Sequence, residues 1–119
     1  MKTLPNGVTI FNATPHAIRF WREDWSEPVE VETDVLINAK PVETLVKTEN
    51  NVQFVKTNFV GDDSGKAVIN AVPQCVLIVG SIIAAQAYPG LVVAMTPAHG
   101  YERVAPAEKR MNPDKFTVF

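Results

Sequence analysis

The chain has 119 residues, 46% of them apolar and 20% charged, with a net charge of −2. That allows one modest core, excludes two full domains, and is too ordinary a balance for a disordered chain. Its lone cysteine, Cys75, excludes an intramolecular disulfide, and no uninterrupted run of about 18 apolar residues offers a membrane-spanning helix. The first residues, Met1 to Gly7, lack the apolar core of a secretory signal, so a reducing, cytoplasmic setting is the expectation.

Charge is unevenly placed. From Glu23 to Glu49 eight acids face only Lys40 and Lys47, a local net of −6, which leaves +4 for the remainder. No broad basic surface for duplex nucleic acid is implied, because such surfaces need many phosphate contacts. A small anion held by a few cations remains compatible with the pattern.

Strand signals dominate the first half. Val8–Phe11 and Ala17–Trp21 read as strands flanking the polar knot Asn12-Ala13-Thr14-Pro15-His16, and their proximity suggests a hairpin-like corner. Taken alone the knot is a structural turn: Asn and Thr bond nearby backbone, and Pro15 fixes φ and removes a donor. Trp21–Pro28 is acidic, holds Pro28, and reads as an exposed loop. Glu30–Val35 alternates by two, as a half-buried strand does. Val42–Thr48 and Val52–Val60 are further strands around Glu49-Asn50-Asn51, where asparagines tolerate positive φ, so they predict a tight hairpin.

Gly61–Gly65 reads as a loop bracketed by glycines. Cys75–Val79 is uniformly apolar, which predicts a strand buried on both faces with Cys75 as inert packing. Ser81 then caps a short alanine-rich helix, Ile82–Ala87, stopped by Pro89-Gly90. Leu91–Met95 is another apolar strand, Thr96–Gly100 a loop, and Phe116–Phe119 a terminal strand. The fold class expected is α+β: a single domain, residues 1–119, with a mostly antiparallel or mixed sheet and one short α-helix packed on it.

No catalytic signature is present. The sequence lacks a Walker-type phosphate loop, a strand-linked G-x-G-x-x-G and a His-Glu-x-x-His motif. His16 and His99 are the only histidines, far apart and without a third ligand at telling spacing, so no metal, cofactor or catalytic residue is expected. A hydrolase using either histidine as base is the weakest reading. Tyr101 beside Arg103, with Lys109 and Arg110 close behind, suits a stacked base and charge-assisted phosphate bonds. Trp21 and Trp25 would suit a protein interface, since tryptophans are common interface anchors.

Three features in order extend this reading: Phe11–Ile18 around the Asn-x-Thr-Pro-His motif, Val52–Phe59 running into glycine, and Val76–Ser81 with the helix and strand that follow. Through them the chain, up to about Met95, resembles a family of short phage- and prophage-associated proteins. It also resembles the first type of Thoeris anti-defence protein. That resemblance implies small β-rich domains forming dimers or higher oligomers, which sequester cyclic ADP-ribose-type immune signals and, in some cases, cyclic oligonucleotides. It implies a phosphate contact at Lys56 and a second half-pocket at Tyr101–Arg103. Thr96–Gly100 and the Trp21–Pro28 insertion depart from the pattern. The ligand-binding candidates are thus Asn12, Thr14, His16, Lys56, His99, Tyr101, Arg103 and Arg110. The expected partners are a small anionic nucleotide and further copies of the chain, with neither duplex nucleic acid nor membrane. The alternative expectation is a module binding a host protein through Trp21, Trp25 and the acidic segment.

Overall fold

A computed structural model describes residues 1–119. Nine strands, two α-helices and one 3-10 turn follow in the order β1 (Lys2–Thr3), β2 (Thr9–Asn12), β3 (Ile18–Phe20), β4 (Val29–Val31), β5 (Lys40–Glu49), β6 (Val52–Val60), α1 (Asp63–Ala71), β7 (Leu77–Gly80), α2 (Ile82–Ala87), β8 (Val93–Pro97), the turn Pro106–Glu108 and β9 (Met111–Thr117). Seven strands form one mixed sheet in the order β1-β2-β7-β8-β9-β3-β4, while β5 and β6 form a sheet of their own. The fold is α+β, as the sequence predicts.

The parallel β2, β7 and β8 show why the apolar runs became inner strands. Along each, alternate residues enter different cores. Phe11, Ile78 and Ala94 join Ala84, Ala85, Tyr88 and Val92 of the α2 region on one side. Ile10, Val79 and Val93 join Ile18, Phe20 and Val31 on the other. Because β3 and β4 share that second core with strands from the far end of the sheet, the sheet curls towards closure. Lys2 Nζ of edge strand β1 donates to the Glu30 carbonyl of edge strand β4 at 2.9 Å.

Asn12 binds this curl together. It is fully buried, and every polar position of its amide is filled. Nδ2 donates to the His16 and Val31 carbonyls, both at 2.9 Å, so one side chain links the β2 exit to β4. Oδ1 accepts from Thr14 N–H at 2.9 Å and lies 2.7 Å from Thr14 Oγ1. The backbone extends the lock: Asn12 N donates to Asp34 Oδ2 at 2.8 Å, and Asp34 N to the Asn12 carbonyl at 2.9 Å. The Asn12–His16 knot is a turn, but not a hairpin corner. Its flanking strands pair elsewhere, β2 with β1 and β7, β3 with β4 and β9.

Three further expectations need correction. The Gly61–Gly65 loop is the start of α1: Asp62 is its N-cap, with Oδ1 accepting from Gly65 N–H at 2.8 Å. Both glycines serve close approach, since a Cβ on either would strike the Tyr88 ring. Tyr88 Oη in turn accepts from Asp62 N–H at 2.8 Å, tying the end of α2 to the start of α1. Next, Cys75 is exposed ahead of β7, not packed within it. Finally, the Glu30–Val35 strand shrinks to Val29–Val31, because Asp34 and Ile37 turn away to bond the backbone of Asn12 and Ala13. The Ser81-capped helix lies where expected, with Ser81 Oγ accepting from Ala84 N–H at 3.1 Å.

The hairpin forms as predicted and is longer than expected. Asn50 and Asn51 take φ of 51° and 62°, the left-handed pair a two-residue turn requires. Every residue of β5 and all but Phe59 of β6 are exposed. The hairpin is an arm, rooted where β6 meets α2, on a molecule measuring 57 × 35 × 20 Å.

Two outcomes follow. Asn12→Ala strands the Val31 carbonyl and Thr14 N–H in the interior and should lower unfolding free energy by about 3 kcal/mol or more, read from urea denaturation. The Gly65 amide, then the Ser64 hydroxyl, hold the Asp62 carboxyl below its ordinary 3.8. A depressed carboxyl stabilises the fold above its unfolded pKa, and that contribution is lost as pH falls through the folded one. Between pH 5 and pH 3 (about one unit either side of the unfolded value), the wild-type urea midpoint should therefore fall further than that of Asp62→Asn.

Candidate functional site

The sequence candidates divide among three places. Asn12 and Thr14 are buried in the knot with their hydrogen bonds satisfied inside the fold, so their geometry is that of structural residues. His16 is exposed beside them, contributing its carbonyl to the knot. His99 lines a cleft, beside which Tyr101 and Arg110 stack with Trp21, and Arg103 is exposed without an ion-pair partner. Lys56 stands apart on the arm.

The cleft, about 600 Å³, is lined by Trp21, Arg22, Glu23, Asp24, His99, Asn112 and Asp114. The Trp21–Pro28 loop builds one wall, and β9 with the loop after β8 builds the other. Beside it Arg110 lies 4.9 Å from the rings of both Trp21 and Tyr101, which themselves meet at 5.4 Å and 68°. The guanidinium expected to hold phosphate is thus stacked on the two rings. Arg22 forks onto Asp24, Nε to Oδ1 at 2.8 Å and Nη2 to Oδ2 at 2.9 Å, with Asp114 at 3.4 Å. That pairing, foremost the Asp24 hydrogen bond, raises the Arg22 pKa and lowers that of Asp24. Glu23 approaches His99 at 3.9 Å. Three carboxylates against one paired guanidinium make the cleft a poor seat for an anion.

The tryptophans are half-buried, not free anchors. Trp21 Nε1 donates to the Trp25 carbonyl at 2.9 Å, and Arg22 covers the Trp25 ring at 5.7 Å.

The arm has the opposite electrostatics. Its pairing runs Lys40↔Val60, Val42↔Asn58 and Thr44↔Lys56 near the base, then Lys47↔Phe54 and Glu49↔Val52 near the tip. Cross-strand partners and alternate residues share a face, so Lys40, Lys47, Lys56 and Phe54 all lie on one side. Lys47 Nζ sits 5.1 Å from the Phe54 ring centroid and 3.0 Å from Glu49. Lys40 and Lys56 make no ion pair. The reverse face carries one charge, Glu43, among Pro41, Leu45, Val55 and Phe59. Lys40, Lys47 and Phe54 were not singled out in the sequence. Alternation could have joined Lys40 to Lys56, but Lys47 reaches this face only through the irregularity between Leu45 and Lys47.

No group of three or more His, Cys, Asp and Glu side chains converges as a metal site. No helix is long and apolar enough to cross a membrane. No family model matches the chain, and neither a curated protein nor a solved structure matches it.

Removing the stacked guanidinium tests the cleft's packing. Arg110→Ala should cost about 1–2 kcal/mol of stability, two cation–π contacts, and shift the tryptophan emission to longer wavelength, both followed in one fluorescence-monitored unfolding series.

Proposed function

We propose that this chain is a non-enzymatic binding protein for a small anionic nucleotide, which it sequesters without cleaving. One observation carries the reading: three lysines and an aromatic ring share a single exposed face of the arm. Ammonium groups supply charge-assisted bonds to phosphate, and a ring supplies a stacking surface for a base. A strand rise of about 3.4 Å puts Lys56 some 7 Å from Phe54 and some 14 Å from the Lys40 position, a span that suits a ligand bearing two phosphates and a base.

The resemblance names the ligand class as cyclic ADP-ribose-type signals or cyclic oligonucleotides, and the role as phage counter-defence by depletion of an immune signal. Sequestration demands affinity, not turnover; nanomolar binding corresponds to about −12 kcal/mol. A ribbon about 10 Å wide has no wall of its own, so the ligand is held where a further copy of the chain closes over the lysine face. The alternative, a host-protein module anchored by Trp21 and Trp25, has less support because the Trp21 indole N–H is taken by the Trp25 carbonyl and Arg22 covers the Trp25 ring.

The test is equilibrium dialysis against a cyclic ADP-ribose-type ligand, with heat release and mass analysis of what returns. Intact ligand recovered after depletion is the expected result; a cleaved product overturns sequestration in favour of hydrolysis. Lys56→Ala should weaken binding about 10- to 100-fold, the value of one charge-assisted bond. Lys66→Ala, on α1, should leave it unchanged, and equal loss in both variants removes the arm from the site.

A further inference from the structure

The pairing of the arm sets the lysine face out as a row of equivalent steps. We propose that this face holds a linear single strand of about four nucleotides, one phosphate to each step. This ligand class is narrower than the anionic nucleotide proposed above and rests on the same reading of the face.

Residues that share a face of β6 alternate along the strand, so Phe54, Lys56, Asn58 and Val60 follow one another at intervals of about 7 Å. Their partners on β5 are Lys47, Thr44, Val42 and Lys40. Each pair thus joins one nitrogen donor to a carbon surface: Lys47 to Phe54, Lys56 to the Thr44 methyl, Asn58 to Val42 and Lys40 to Val60. Lys47 enters the row because the unpaired Val46 shifts the register before it. All of these residues are exposed, Val42, Phe54 and Val60 at 42%, 45% and 40%. A donor takes a phosphate oxygen, and the apolar member of the pair lets a base lie beside it, Phe54 by stacking.

The step decides the ligand. Consecutive phosphates of an extended single strand are spaced like alternate residues of a β-strand, so a linear strand meets a new donor at every pair. The row spans about 20 Å from Lys47 to Lys40. A ring the size of a cyclic ADP-ribose-type signal reaches two neighbouring pairs and leaves Asn58 and Lys40 idle. A two-stranded ribbon is strongly twisted, so the row turns as it runs. The rotatable backbone of a single strand follows that turn. A duplex keeps its bases paired inside and has none to lay on Phe54. At the tip Glu49, 3.0 Å from Lys47, closes the row with a charge that repels any further phosphate.

Fluorescence anisotropy of 5′-phosphorylated oligothymidylates of about two, four and eight nucleotides, titrated with the full chain, reads the row directly. Affinity should rise about tenfold or more from two to four nucleotides and change little beyond. With the four-nucleotide probe the slope of log K against log salt should be about −2, three lysines at about 0.7 each. Lys40→Ala should bring that slope to about −1.4 and weaken the four-nucleotide probe about tenfold. It should leave the two-nucleotide probe and a cyclic ADP-ribose-type ligand unaffected. Affinity independent of length overturns the proposal, as does Lys40→Ala without effect on the four-nucleotide probe. So does a DNA hairpin duplex that binds as tightly as the single strand. A chain that holds the cyclic ligand and ignores every linear probe defeats the row alone and leaves the nucleotide site standing. Failure of both kinds of ligand defeats the site itself.

Discussion

The fold depends on a single amide. Asn12 sits where the exit of β2, the turn to β3 and the carbonyl of Val31 on β4 converge, and its side chain bonds to all three. Aspartate would lose both donors and leucine would lose all four bonds, while glutamine would carry the amide one methylene too far. A buried polar group is tolerated only when fully partnered, and full partnering pins the geometry of everything it touches. The two ends of a seven-stranded sheet are therefore held in one relative position. The apolar residues of β2, β3, β4, β7 and β8 can then share a core.

The closed body leaves little room for the arm. Both core clusters are filled by strands of the curled sheet and by the helices, with Tyr88 threaded between Gly61 and Gly65 at the root of β6. The hairpin between Lys40 and Val60 consequently extends into solvent with seven large apolar side chains exposed along it. Its two faces differ in charge: one carries Lys40, Lys47 and Lys56 with Glu49 among Val42, Val52, Phe54 and Val60, the other carries Glu43 alone among Pro41, Leu45, Val55 and Phe59. A folded domain rarely presents so extended an apolar surface to water without a use for it.

Much of the candidate chemistry visible along the chain was redistributed by folding. Tyr101 and Arg110 do come together, as their proximity in sequence implies, but with Trp21 as a third partner that stacks the guanidinium away from any phosphate. The acids of the Trp21–Pro28 loop were legible as a charge run; that Arg22 would be enclosed by Asp24 and Asp114 was not, because Asp114 lies 92 residues away. Cys75 looked buried because the run after it is apolar. The strand begins two residues later, and burial starts with the strand.

Local chemistry by itself settled the Ser81-capped helix, the Asn50-Asn51 hairpin and the apolar strands around Ile78 and Val93, since caps and turn conformations are properties of a few adjacent residues; the last strand is Met111–Thr117, not the expected Phe116–Phe119. It also marked the Asn12–His16 knot as a hydrogen-bonding device, without saying which distant carbonyl would receive its second N–H. Only the tertiary structure decided that Asn12 reaches Val31, that the sheet curls, and that Lys47 shares a face with Lys40 and Lys56. The last follows from one unpaired residue, Val46: the tip and the base of the hairpin keep registers that differ by one, and every side chain beyond the slip changes sides. Such offsets arise from pairing between strands, which no stretch of one strand encodes.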